Sequence, residues 1–218
     1  MALDIVFLMA ELIFLAFSAY IQFILYKKWL DDNNRIDIYI IIYFIVLQIN
    51  SIYLIIQKAT EITLVVGEAL TLTRLFVLFI VTTQLQIFLY VVGDERFYTL
   101  PHIFSIFLVI NLIIADIGIY IFLYTFILDI FLLLLLILLG HRNQSGMIIT
   151  LGFFIFLYGV SSSFTATVIL FGSLFKIFAA IIFTIGILGY VEKYFFVDEE
   201  HEKAVKSTWI SKLVDEKK

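Results

Sequence analysis

Glu11, Glu68, Arg74, Asp129 and Lys176 are ionisable residues set inside stretches otherwise apolar enough to cross a bilayer. A charge at the bilayer centre costs at least about 2.5–3.5 kcal/mol on insertion scales, so such residues mark ion pairs, ligand contacts or proton and ion paths. Helical spacing gathers uncharged polar groups beside them. Asp4, Glu11 and Ser18 recur at intervals of seven and Gln22 follows Ser18 by four, which places them on one face of a helix. Tyr43, Asn50, Tyr53 and Gln57 make a second stripe. Glu68, Thr71, Leu75, Thr82 and Gln86 make a third, with Arg74 roughly a third of a turn around from Glu68. Lipid cannot satisfy such stripes, so they should face neighbouring helices or a wet cavity.

The elements that carry these residues are membrane helices. The chain has 218 residues, of which 63% are hydrophobic and 15% charged, with a mean hydropathy of +1.12. A soluble domain holds about 45–50% apolar and about 25% charged residues, so the composition is that of an integral, multi-pass membrane protein whose first partner is the lipid bilayer. Apolar runs of about 20 residues indicate helices, because outer-membrane strands would give shorter alternating segments. The start Met1-Ala2-Leu3-Asp4 lacks the positive region of a signal peptide, so the run from Ile5 is read as a permanent span. The chain contains no cysteine, which excludes disulfides, thiolate metal sites and cysteine nucleophiles. A net charge of −4 argues against nucleic acid as a partner.

Hydropathy places spans at about Ile5–Tyr26, Ile36–Gln57, Ile62–Val92, Phe97–Ala115, Gly118–Leu139, Met147–Phe171 and Ser173–Phe196. The apolar stretch from Ile103 to Leu139 would measure about 55 Å as one straight helix, nearly twice the hydrocarbon thickness. A tight turn at Ala115-Asp116-Ile117-Gly118 divides it, giving a seven-transmembrane helix bundle, with six spans as the alternative. With the N-terminus outside, the inner segments hold eleven basic residues and the outer ones only Lys58 and the boundary residue Lys176. That bias sets an outside N-terminus, a cytoplasmic C-terminus and a cell-membrane location. Residues 1–197 form the membrane domain. Residues 198–218 form a cytoplasmic tail in which Val205, Trp209 and Leu213 recur every four residues, the pattern of a short amphipathic helix for the membrane surface or a protein partner.

This orientation assigns depth. Glu11, Asn50, Gln57, Glu68, Arg74, Asp116 and Lys176 fall in the outer half, with Lys176 in the first turn of its span. Asp129 alone reaches the middle, and the inner half offers amides and hydroxyls but no charge before the boundary. Three arrangements would satisfy this pattern. Charges can pair across helices, Arg74 with Glu11 or Glu68 and Lys176 with Asp116. They can line an outward pocket for a small ligand or ion, or form part of a proton or ion route through Asp129. Gly152, Gly159, Ser163 and Ala166, with Ala179 and Gly186 in the last span, make small-residue faces where helices approach closely.

Arg74 followed by Thr82 and Thr83, the tight turn between spans four and five, and one lysine in span seven resemble microbial opsins. The chain departs from that pattern at decisive positions. Lys176 sits near its helix entrance, the position one turn before it is Gly172, and Val77 and Leu78 stand where a carboxylate should follow Arg74, so retinal binding is not expected. The proline–glutamine motif of the PQ-loop sugar transporters is missing, and Pro101 is the sole proline. No histidine lies mid-span to hold haem or to activate a serine or metal-bound water, so no cofactor, metal site or catalytic residue is assigned and no enzymatic activity is expected. The leading expectation is a sensory or receptor-like protein with an outward polar pocket. A small transporter using Asp129 and a non-catalytic subunit of a larger membrane complex are the alternatives.

Overall fold

The apolar runs fold as α-helices in the computed structural model, which describes residues 2–60, 72–92, 97, 99–114, 118–165 and 169–196. A bilayer leaves an exposed backbone N–H or C=O without a partner, and a helix satisfies both within its own segment. The helices are α1 (Ala2–Asp32), α2 (Arg35–Thr60), α3 (Leu72–Val92), α4 (Leu100–Ile114), α5 (Gly118–Arg142), α6 (Gly146–Thr165), α7 (Ile169–Ile187) and the short α8 (Tyr190–Phe195). Among the described residues four helical segments are long and apolar enough to cross a membrane, Ile5–Asp32, Arg35–Thr60, Leu75–Val92 and Thr125–Arg142. Gly146–Ser161 and Phe171–Ile187 are shorter and equally apolar.

The helices close a circuit. α1 packs on α2 and α7, α2 on α3, α3 on α4 and α5, α5 on α6, and α6 on α7. Aromatic rings fill the centre: Phe44 of α2 stacks on Phe183 of α7 at 5.4 Å, and Phe154 of α6 lies 4.9 Å from Phe44. The outer faces carry exposed Ile, Leu and Phe, among them Leu12, Phe23, Ile49, Phe79, Ile127 and Phe178. Apolar side chains turned outward around a buried polar and aromatic interior suit a lipid bilayer environment.

Small residues set the helix spacing on one side of the circuit. A Cβ added at Gly152 of α6 would stand 3.0 Å from the Leu136 side chain of α5, one at Gly159 would run into the Asp129 carboxylate, and one at Gly186 of α7 would run into Thr150. Gly152 and Gly159 therefore lie at the α5–α6 contact and Gly186 at the α6–α7 contact; Ala166 and the Ser163 side chain lie outside the described residues.

The turns are short and locally determined. Asn33 takes the left-handed conformation (φ 50°) and its N–H bonds back to the Trp29 carbonyl at 2.8 Å, ending α1; the Asn34 side chain then accepts the Ile36 N–H at 3.1 Å to start α2. At the same end of the bundle, Lys28 reaches Met147 Sδ at 3.5 Å, the Met147 N–H donates to Glu192 Oε1 at 3.0 Å, and Tyr39 stacks on Tyr90 with ring centres 4.1 Å apart. The ends of α1 and α3 and the short α8 thus meet the beginnings of α2 and α6 at one end of the bundle, the α1–α2 turn end.

Two expected boundaries move. The break between spans six and seven was placed at Gly172, yet α7 begins at Ile169 and runs through it. Gly172 is buried; within a membrane a glycine admits a close neighbour without ending the helix, because ending it would strand backbone groups. The last span was also expected to run unbroken to Phe196, whereas it stops at Ile187 and Gly189, in the left-handed region (φ 76°), turns the chain into α8.

Candidate functional site

Lys176 anchors the polar centre. It is the eighth residue of α7 rather than a residue of the first turn, about 10 Å from the start of that helix at 1.5 Å per residue. The extra depth follows from the earlier start of α7, and the residue is only 4% exposed. Its ammonium donates to Glu11 Oε2 of α1 at 2.5 Å and to Ser51 Oγ of α2 at 2.9 Å. The Phe14 ring centre lies 4.5 Å from Nζ and that of Tyr158, on α6, 5.4 Å. Aromatic faces attract a cation most strongly where water is excluded. One charge thereby ties together α1, α2, α6 and α7.

The sequence placed Glu11 correctly on the buried stripe of α1, with Ser18 below it; Glu11 is 3% exposed and Ser18 is fully buried. Among the described residues Lys176 pairs with Glu11; Asp116, the partner expected from the sequence, lies outside them. Contact between the first and last helices of the circuit brings these two residues together across 165 positions of sequence.

Asn50 joins the centre through its amide, which donates to the Tyr158 hydroxyl at 3.4 Å. Gln57, seven residues further along α2, is half-buried. Glu68 and Asp116 lie outside the described residues, as do the turn at 115–117 and the tail at 198–218. Arg74 lies on α3 and its side chain is likewise outside them.

Asp129 occupies a second centre. It is 5% exposed, lies against Gly159 of α6, and its Oδ1 has no hydrogen-bond partner among the described residues. The Tyr43 hydroxyl of α2 accepts a hydrogen bond from Gln84 of α3 at 3.1 Å. Gln84 Oε1 and Gln86 Oε1 are buried and unpartnered.

Asp37 is a buried carboxyl that the sequence reading did not single out. It stands in the first turn of α2, at 0% exposure, with neither carboxylate oxygen hydrogen-bonded among the described residues. The local pattern Arg35-Ile36-Asp37 reads as a solvated helix start, and only the cover supplied by neighbouring helices buries it. Ser51, Tyr158 and Phe14 were also missed as parts of the Lys176 centre. Ser51 follows Asn50 directly, the one local signal available; the two rings are indistinguishable in sequence from core aromatics. Comparison with family models, curated proteins and solved structures found no match, so the site is read from its own residues.

Proposed function

We propose that this chain is a seven-helix sensory or receptor-like membrane protein, with its N-terminus outside and its C-terminus cytoplasmic. On this reading the α1–α2 turn end faces the cytoplasm, in line with the excess of Lys and Arg in the segments assigned there. The observation that carries the reading is the Lys176 ammonium of α7 held by Glu11 of α1 and Ser51 of α2. A buried ion pair adds little stability over apolar packing, but removal of either partner is costly, so it makes a sharp determinant of which helix arrangement holds. A ligand or ion that competes for Glu11 or Lys176 would bias α7 against α1. It could act only through different affinity for the two arrangements. Glu68, Arg74 and Asp116 complete the proposed outer pocket, with Asn50 and Gln57 as its uncharged partners.

The test is retention of a small molecule by the full-length chain purified from native membranes, measured by mass spectrometry beside the Lys176→Gln variant. A species held by the native chain and lost from the variant supports the pocket. Identical retention by two equally folded proteins removes it.

A second reading, a small proton or cation transporter, is favoured by the unpartnered oxygen of buried Asp129. In reconstituted vesicles carrying a pH-sensitive or cation-sensitive dye, Asp129→Asn should then abolish flux. Flux unchanged by that substitution eliminates the transport reading.

A further inference from the structure

Asp37 and Asp129 are buried carboxyl groups that the Lys176 centre does not use. An ionised carboxylate taken out of water is strongly disfavoured unless it is paired or hydrogen-bonded. Among the described residues Asp129 lacks a partner for one oxygen and Asp37 for both. Each therefore needs a proton or water, and the groups between them are of the kind that order water.

The polar residues descend in steps towards the α1–α2 turn end. Tyr43 is eight residues from the start of α2 and Gln84 eight residues from the end of α3, each about 12 Å from that end at 1.5 Å per residue. Their hydrogen bond agrees with the shared depth. Gln86 lies about 9 Å from the end of α3 and Asp37 about 3 Å from the start of α2, by the same rise. By the same rise Asp129 lies about 20 Å from the end of α5, deeper than Tyr43 and Gln84, with the side-chain-free Gly159 opposite it on α6. The charged groups facing Asp37 are Lys28 and Asp32 of α1.

We propose that Asp129 and Asp37 are the two proton-binding stations of a half-path that opens at the α1–α2 turn end and stops in the middle of the bundle. The transfer involves no electrons. A bulk hydronium gives its proton to the Asp37 carboxylate, water ordered by Gln86 and Gln84 carries a proton inward, and the Asp129 carboxylate accepts it. Asp37 acts as the gate to bulk water and Asp129 as the end station. The half-path concerns residues separate from the Lys176 centre and needs no continuous route across the membrane.

Infrared spectroscopy of the full-length chain in lipid vesicles tests this directly. The protonated-carboxyl band should contain a component lost in Asp129→Asn, and that component should shift when H₂O is exchanged for D₂O. Asp37→Asn should slow the shift by roughly tenfold or more, a rate change equal to about 1.4 kcal/mol of barrier. Asp37→Glu should restore it. Gln86→Leu, which keeps both carboxyls, should also slow exchange and serves if Asp37→Asn does not fold. Absence of an Asp129 component, or exchange equally fast in folded Asp37→Asn or Gln86→Leu, overturns the proposal. Transmembrane flux is a separate measurement, so failure of the transport reading is distinguishable from failure of the half-path.

Discussion

Removing one member of the Lys176–Glu11 pair should cost far more than removing both. Glu11→Gln keeps shape and hydrogen bonding but discards the negative charge. At 2.5 Å the attraction lost is about 6.6 kcal/mol with an effective dielectric of about 20. Ser51 and the rings of Phe14 and Tyr158 remain to hold the ammonium and reduce the net loss. Release of the proton sets an independent ceiling: a free lysine titrates near 10.4, so neutralising it at pH 7 costs about 4.6 kcal/mol. The expected destabilisation is therefore about 3–5 kcal/mol, the usual cost of breaking a buried pair. Lys176→Met should cost a similar amount by stranding Glu11. The double variant buries no charge and should recover to within about 2 kcal/mol of the native chain, since buried pairs are replaceable by apolar groups of similar volume. The assay is reversible unfolding in mixed micelles of rising dodecyl sulfate content, followed by helical circular dichroism for all four proteins. If the double variant loses the sum of the single losses within about 0.5 kcal/mol, the two side chains are uncoupled and the pair does not hold α1 against α7.

Gly159→Ala should destabilise the bundle by about 1–3 kcal/mol and push α5 from α6, because the new methyl group occupies the space of the Asp129 carboxylate. Spin labels on the exposed faces of α5 and α6 would report the separation, and unchanged spacing with native stability would contradict the close approach. Glu192→Ala should free the Met147 N–H at the start of α6, a charge-assisted bond worth about 1.5–3 kcal/mol. Hydrogen exchange should then quicken in the first turn of α6, with Glu192→Gln retaining most of the protection. Equal exchange in all three proteins would show that the carboxylate does not hold α8 on α6.

Composition and the length of the apolar runs are sufficient for the helical class and the membrane setting, because the bilayer imposes its requirement on every backbone group locally. The polar stripe of α1 was legible for the same reason: a spacing of seven places Glu11 and Ser18 on one face whatever that face meets. The small-residue positions Gly152 and Gly186 were legible as contact surfaces, since a missing side chain has one main use between membrane helices. The helix boundary at Gly172 was misread because glycine marks a turn in water but a packing site in lipid.

Pairing was decided elsewhere. No local rule joins residue 11 to residue 176, and the pairing of Lys176 with Asp116 satisfied the sequence equally well. Closure of the circuit, with α7 lying against α1, brings Glu11 and Ser51 to the ammonium and turns Asn50 towards Tyr158. Likewise, Asp37 has the sequence signature of a solvated first turn, and only the surrounding helices exclude water from it. The sequence by itself determined which residues are too polar for lipid. Their partners depend on which helices are neighbours, a property of the whole chain's packing that no segment encodes alone.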